Sequence, residues 1–383
     1  LNRENEEMPM NSCRVVLLVF PTLAMGCLWQ TDLPADATSI PVDPGRELVV
    51  TDENVMSGPL ARNQANGPLS FQQAISALPL AGGAPLRWLN AWSSRLQGEG
   101  YADRATMFTQ RVTCSWLRAA PENQCDAECG SCAAYTLMPE AAPFRLIAVT
   151  NRTDLSVMPD RAADGGEGRL VFALTDGPGD DASSPSLPVT VAFEYAQHGS
   201  ALEWEQRWHA LGQTSDAAFP ASLAALTQIF VASGTLAQIR TADALTGPML
   251  LHQFHIESSE LVATNVRDNP DWTRVPSASM QQFAVANGDA IAAGTALFPE
   301  SWWDARASLA EQPPAYVAGL PQHDALVQLT CSGCHALSQD GFQIDPMAQG
   351  DSKLSRFLVN PSQDHDEMRR RVEWMQLTLS SGN

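Results

Sequence analysis

Residues 331–335 read Cys-Ser-Gly-Cys-His, and no other stretch limits so tightly how its neighbourhood can be built. Thiols three positions apart share one face of a helical turn, and an imidazole follows directly. With 8 cysteines and 7 histidines in 383 residues, random placement yields this pentapeptide about 0.003 times per chain. The other cysteines fall into two groups. Cys13 and Cys27 lie near the N-terminus, while Cys114, Cys125, Cys129 and Cys132 cluster around the turn formers Pro121-Glu122-Asn123-Gln124 and Gly130-Ser131. In an oxidising compartment such a cluster is expected to form two disulfides, with three connectivities open. A zinc knot through Cys125, Cys129 and Cys132 is the rival, although no matched pair of C-x-x-C supports it.

The N-terminus points to that compartment. Read from Met10, a basic start with Arg14 leads into the apolar run Val15 to Met25, then Gly26-Cys27. This is the pattern of a secretory signal over residues 10–27, and its apolar run is too short for a bilayer of about 30 Å. Ala24-Met25-Gly26-Cys27 resembles a bacterial lipobox, which implies lipidation of Cys27 and a periplasmic or outer-membrane-anchored protein. Membrane contact would then run through the lipid alone. Ordinary signal-peptidase cleavage, releasing a soluble periplasmic protein, is the plainer alternative.

For an exported chain, C-x-x-C-H has a defined use. Its thiols add to the two vinyl groups along one haem edge, and its histidine becomes the proximal iron ligand. The expectation is one covalent haem c on Cys331 and Cys334, with His335 on the iron. Gln322 to Thr330 reads as a short helix entering the motif. Beyond Ser362 or Asp364, Met368, Val372, Met375 and Leu379 form an apolar stripe at i, i+4, i+7 and i+11. The pairs Glu367–Arg371 and Arg369–Glu373 are expected on that helix's wet side. A helix leading in and an amphipathic helix closing the segment resemble the cytochrome c arrangement over about residues 320–383. That resemblance implies a small all-α haem module with a distal methionine or histidine. Met347, after Asp345-Pro346, and Met368 lead the distal candidates, followed by His365 and Met375; methionines in a stripe also serve as core packing. A redox or structural Cys331–Cys334 disulfide and a zinc site compete with haem. They lack, respectively, a thioredoxin-like context and a fourth ligand at structural spacing.

The remainder reads as α+β. Residues 28–66, rich in Pro, Asp, Asn and Gly, are expected to be a flexible linker, and residues 67–312 a larger mixed domain. Strand-like runs cover Phe144 to Val149, Arg169 to Leu174 and Leu187 to Tyr195, with weaker ones at Gln253 to Ile256 and Leu261 to Val266. Helices are expected from Ser70 to Leu78, Leu86 to Leu96, Ala201 to Leu211, Pro220 to Ala232 and Ser279 to Ala293. Gly165-Gly166-Glu167-Gly168 reads as a hairpin turn, and Pro313-Pro314 to Pro321 as a linker. Apolar residues are 44% of the chain against 17% charged, which suits a globular core, and a formal charge of −20 argues against nucleic-acid partners. Lys353 is the only lysine.

Other polar groupings are weaker. His252, His255 and Glu257 cannot converge on one strand, because His252 faces away from the other two. Glu194, His198, Glu203 and His209 match no helical metal motif. Asn151-Arg152 with Asp154 reads most simply as an arginine–aspartate pair fixing a turn. The phrases FRLIAVTNRTDLS, GEGRLVFALTD, LPVTVAFEY and the Leu236-to-Thr241 run, followed by C-x-x-C-H, resemble as a set a myxobacterial-type family of uncharacterised exported proteins. The resemblance spans roughly residues 66–383 and implies no activity. It does imply a histidine soon after the motif, where Gly341-Phe342-Gln343-Ile344 offers Gln343.

The leading expectation is an electron-transfer protein that presents a haem edge to a redox partner protein in the envelope. An envelope ligand- or partner-binding protein with a structural disulfide or metal is the second. A haem peroxidase or sensor is the third.

Overall fold

Period-2 alternation builds the centre of the molecule. In a computed structural model the described residues are 40–158, 164–232, 236–311, 313–336, 341–348, 353–359 and 367–382. Seven strands follow one another across an antiparallel sheet: β1 (Val49–Val50), β2 (Phe144–Arg152), β3 (Asp164–Thr175), β4 (Ser186–His198), β5 (Leu236–Asp243), β6 (Leu250–Glu257) and β7 (Glu260–Thr264). An eighth, β8 (Ala307–Ser308), pairs with β6. The α+β expectation holds.

The two faces of this sheet differ in chemistry. Leu170, Phe172, Val191, Phe193, Ile239 and Phe254 point to one side, where helices Ala84–Gly98, Ala201–Gly212 and Phe219–Val231 supply Trp88, Trp92, Trp208 and Phe230. Phe71 stacks on Phe144 at 4.1 Å and meets Phe172 and Phe193 edge-on, the offset geometries that aromatic quadrupoles favour. The opposite face carries Arg152, Glu167, Arg169, Glu194, Gln238 and Arg240, aligned by the register pairs Arg152↔Glu167, Arg169↔Glu194 and Glu194↔Gln238. A charged face of this kind needs a polar cover.

Several expectations change here. Gly165 to Gly168 lie inside β3 and make no turn. A Cβ on Gly165 would sit 2.4 Å from the Trp204 ring, and one on Gly168 2.7 Å from Phe230, so these glycines let helices approach the strand. Of the expected flexible linker, residues 40–66 are structured. Leu48, Val49, Val50, Val55 and Met56 are buried, and β1 pairs with β2. Asp43 and Asp52 cap short helices at Pro44–Glu47 and Glu53–Met56, so the Pro and Asp content there is capping chemistry.

The all-α module expected over 320–383 does not stand apart. Residues 40–383 form one compact unit. Helix His323–Gln328 packs through Leu326 into a satellite core with Val275, Met280, Ile291, Phe298 and Val317. The closing helix Glu367–Ser381 instead sends Met368, Met375 and Leu379 into the main core. The two helices thus join different cores, and the expected linker 313–321 is itself packed, with Val317 fully buried and the Tyr316 hydroxyl donating to the Val275 carbonyl.

The cysteine cluster is disulfide-bonded as Cys114–Cys129 and Cys125–Cys132, with Asp126 accepting three backbone N–H groups inside the loop. Replacing Cys125 and Cys132 by serine is expected to lower unfolding free energy by about 2 kcal/mol, the loop entropy released to the unfolded chain. A denaturant midpoint measured with and without reductant checks this. Among the described residues, no helix is long and apolar enough to cross a membrane. The signal segment and Cys27 lie outside the described residues.

Candidate functional site

Cys331, Cys334 and His335 sit together on helix Cys331–Ala336, over the charged face of the sheet. Thr330 precedes this helix, and its hydroxyl accepts from the Gly333 N–H at 2.9 Å, as an N-cap does. A Cβ on Gly333 would lie 2.1 Å from the Val327 carbonyl, so glycine is what lets this helix press onto His323–Gln328. The Cys331 N–H donates to the Asp268 carbonyl at 3.2 Å, and its thiol points at the Arg267 carbonyl, also 3.2 Å away. The Gln343 amide donates to Cys334 Sγ at 3.6 Å.

Both thiols are free. Burial pushes Cys331 up to about 11, with Asp268 and Glu194 adding to the shift, and pushes Cys334 up to about 12, with Glu367 adding to it. Both are therefore protonated at neutral pH, and neither is an activated thiolate of the kind a redox dithiol uses. Burial also lowers the pKa of His335, and the positive charges of Arg240 and Arg169 lower it further. Its imidazole is therefore neutral. His335 Nδ1 lies 2.5 Å from the Gly341 carbonyl. A carbonyl can only accept, so Nδ1 carries the proton and Nε2 keeps its lone pair. Among the described residues Nε2 has no hydrogen-bond partner. A backbone carbonyl fixing the tautomer in this way is the usual outer support of a histidine metal ligand.

The donor set distinguishes between metals. Among the described residues, only Cys125, Cys129 and Cys132 bring three ligand atoms within 4.8 Å of one another, and two of these are joined by a disulfide. Cys331, Cys334 and His335 do not converge in that way, so a tetrahedral zinc site does not fit them. Haem c asks for something else: two thiols on one helical turn and a separate neutral imidazole. These residues fit that requirement.

An ion-pair network lies beneath the motif. Arg169 bonds Glu167 at 2.6 Å and pairs with Glu194 at 3.3 Å, while Glu194 also accepts from Gln238. Arg152 grips Asp154 through two bonds of 2.9 and 3.1 Å, and Arg370 of the closing helix reaches the same carboxylate at 2.6 Å. Glu367 accepts from Arg370 and Arg371, and Arg371 is buried, not on the wet side. The simple reading of Arg152 and Asp154 as a turn-fixing pair was thus too small. A cleft of about 220 Å³ opens on this face, lined by Asp164, Gly166, Glu167, Ala196, Ala237, Gln238 and Arg267.

The distal candidates are scattered. Met347 is 59% exposed, whereas Met368 and Met375 are packed in the core; His365 lies outside the described residues. The other described histidines serve separate partners: His252 with Glu99, His198 with Asp164, His209 with Glu47, His323 with Asp324, and His255 facing Glu257 at 3.8 Å. Sequence reasoning missed Gly341, Arg240 and Arg267. The only available signal was polar residues at i and i+2 in the apolar β3, Glu167 and Arg169, which mark a covered polar face. No family model matches the chain, and neither a curated protein nor a solved structure does.

Proposed function

We propose that this chain is an exported c-type haem protein acting in electron transfer, with one haem bound through Cys331 and Cys334 and His335 as the proximal ligand. The observation that carries the reading is His335, whose Nδ1–H is committed to the Gly341 carbonyl while Nε2 stays available. Two protonated thiols on the same helix supply the attachment points: each S–H adds across one vinyl double bond, sulfur to one carbon and hydrogen to the other. Bound there, the iron would supply one-electron chemistry. The chain's own part is to hold the imidazole neutral and to keep charged groups close around it. Export is supported by the disulfides, which oxidising compartments form and retain. The lipid anchor on Cys27 and a redox partner protein in the envelope belong to the same proposal.

The test is the mature protein made in cells with c-type haem maturation machinery. Its mass should exceed that of the polypeptide by one haem, with a c-type pyridine haemochrome, and the Cys331→Ser/Cys334→Ser variant should carry no covalent haem. A colourless parent protein overturns the proposal in favour of a binding protein. A second reading, a sensor or peroxidase with an open distal position, draws on the core positions of Met368 and Met375, which take two of the distal candidates away from an iron. Carbon monoxide binding without displacement of a strong ligand would place the role there.

A further inference from the structure

The two disulfides lie close enough to exchange partners. The sulfur atoms of Cys125, Cys129 and Cys132 are all within 4.8 Å of one another, although Cys125 is bonded to Cys132 and Cys129 to Cys114. Their exposure differs. Cys114 is 2% exposed, whereas the other three are half-buried in a loop whose remaining residues, Asp126 to Glu128, Gly130 and Ser131, are exposed. A reductant in solution therefore meets the Cys125–Cys132 bond directly, and can approach the second bond only at its Cys129 end. The loop is also tied down by more than sulfur. Asn123, fully buried, donates to the carbonyls of Leu117 and Thr136 at 2.6 and 2.7 Å. Arg118 donates to the carbonyls of Asp126 and Ala127, and the Asp126 carboxylate accepts from the Glu128, Gly130 and Ser131 N–H groups. Opening one disulfide thus leaves the remaining sulfurs within reach of one another.

We infer that this cluster is a thiol–disulfide exchange site for a dithiol reductant, entered at Cys125–Cys132 and ending at Cys114. One thiolate of the reductant attacks Cys125 or Cys132, and the bond between them breaks. The second thiol of the reductant then displaces the cysteine from this mixed disulfide, so that the reductant departs as a cyclic disulfide. One of the two freed sulfurs, as thiolate, attacks Cys129 Sγ. A bond to Cys129 forms, the Cys114–Cys129 bond breaks, and the Cys114 sulfur leaves and takes a proton. One dithiol is consumed, and the cluster keeps one disulfide and two thiols. A buried thiol packs as a small hydrophobe, so the Cys114 position favours this product over one with both thiols in the exposed loop. Where Cys129 ends bonded to Cys132, the pair has the C-x-x-C spacing of exchange-active dithiols. The site stands apart from the haem reading, and neither depends on the other.

The experiment treats the folded full chain with limiting dithiothreitol, blocks thiols with excess N-ethylmaleimide and maps the tryptic peptides. Cleavage after Arg111, Arg118 and Arg145 puts Cys114 on peptide 112–118 and the other three cysteines on peptide 119–145. Peptide 112–118 should be released with Cys114 blocked. Fragmentation of peptide 119–145 should show a disulfide to Cys129 and a blocked Cys125 or Cys132. Peptides still joined through Cys114 and Cys129, with Cys125 and Cys132 both blocked, overturn the assignment. Release with Cys129 itself blocked overturns it as well, and so does a cluster that dithiothreitol leaves intact. In Cys125→Ser/Cys132→Ser, release of Cys114 should be about a hundredfold slower, because an internal thiol acts at an effective concentration of millimolar order against roughly ten micromolar reagent. Release at the parent's rate overturns the proposal. If that variant does not fold, the peptide map of the parent decides alone.

Discussion

Replacing Asp154 by alanine is expected to cost about 3–5 kcal/mol of unfolding free energy, seen as a lower denaturant midpoint at unchanged slope. Asp154 is 4% exposed and accepts two hydrogen bonds from Arg152 and one from Arg370. Its pKa lies well below the usual carboxylate range: burial pushes it up, and the charges of Arg152, Arg370 and Arg371 more than offset that. Without this carboxylate, the buried Arg152 loses two hydrogen bonds and its nearest counter-ion, keeping only the charge of Glu367. The loss should be uneven across the molecule, because Asp154 links the end of β2 to the closing helix. Amide exchange should therefore quicken first over residues 367–381. For comparison, Glu203→Ala breaks an exposed i,i+4 pair with Arg207 and should change stability by less than about 0.5 kcal/mol. Equal costs for the two substitutions would mean that Asp154 does not clamp the C-terminal helix.

Glu205→Gln should stabilise the protein in mildly alkaline solution and leave it nearly unchanged in acid. Glu205 is buried on helix Ala201–Gly212, where it accepts from the Thr153 hydroxyl and from Asn151 Nδ2 at 3.2 Å. Burial pushes its pKa up to about 7, with Asp154 and Glu47 adding to the shift. A carboxyl whose folded pKa exceeds its unfolded value holds more protons in the native state. Its contribution is present at low pH and is lost as pH rises from about 4.5 through about 7. The full span corresponds to about 3 kcal/mol on the same linkage argument. Asp154 and Glu367, whose pKa values are lowered, act with the opposite sign and in more acid solution, so the windows separate. Subtracting the pH profile of Glu205→Gln from that of the parent should leave a fall across the neutral window. A flat difference would show that Glu205 ionises without penalty.

The sequence revealed features made by neighbours along the chain. β2, β3 and β4 were readable because each is a short apolar, β-branched-rich run bounded by turn formers, and helices Ala201–Gly212 and Phe219–Val231 because their periodicity is unbroken. Within the site, Cys331, Cys334 and His335 were legible because their whole relationship fits in five residues. The Gly341 carbonyl, Arg240 and Arg267 were not, since strand pairing and loop closure bring them in. Gly165 to Gly168 misled for a related reason. Glycine marks a missing side chain, and only tertiary contact shows whether a turn or the Trp204 and Phe230 rings need the room. β1 escaped notice because two residues carry no periodicity of their own.

The earliest and latest described residues are joined. Gln376 Nε2 donates to the Ile40 carbonyl across 336 positions, and Lys353 bonds Glu53 across 300. Contacts this distant in sequence form late, because the chain must close its largest loop before they give any return. On the export reading, residues 40–56 would reach the periplasm first and wait for the last helix. The segment around Cys331, half-buried once folded, lies between those two ends and would dock in the same late step.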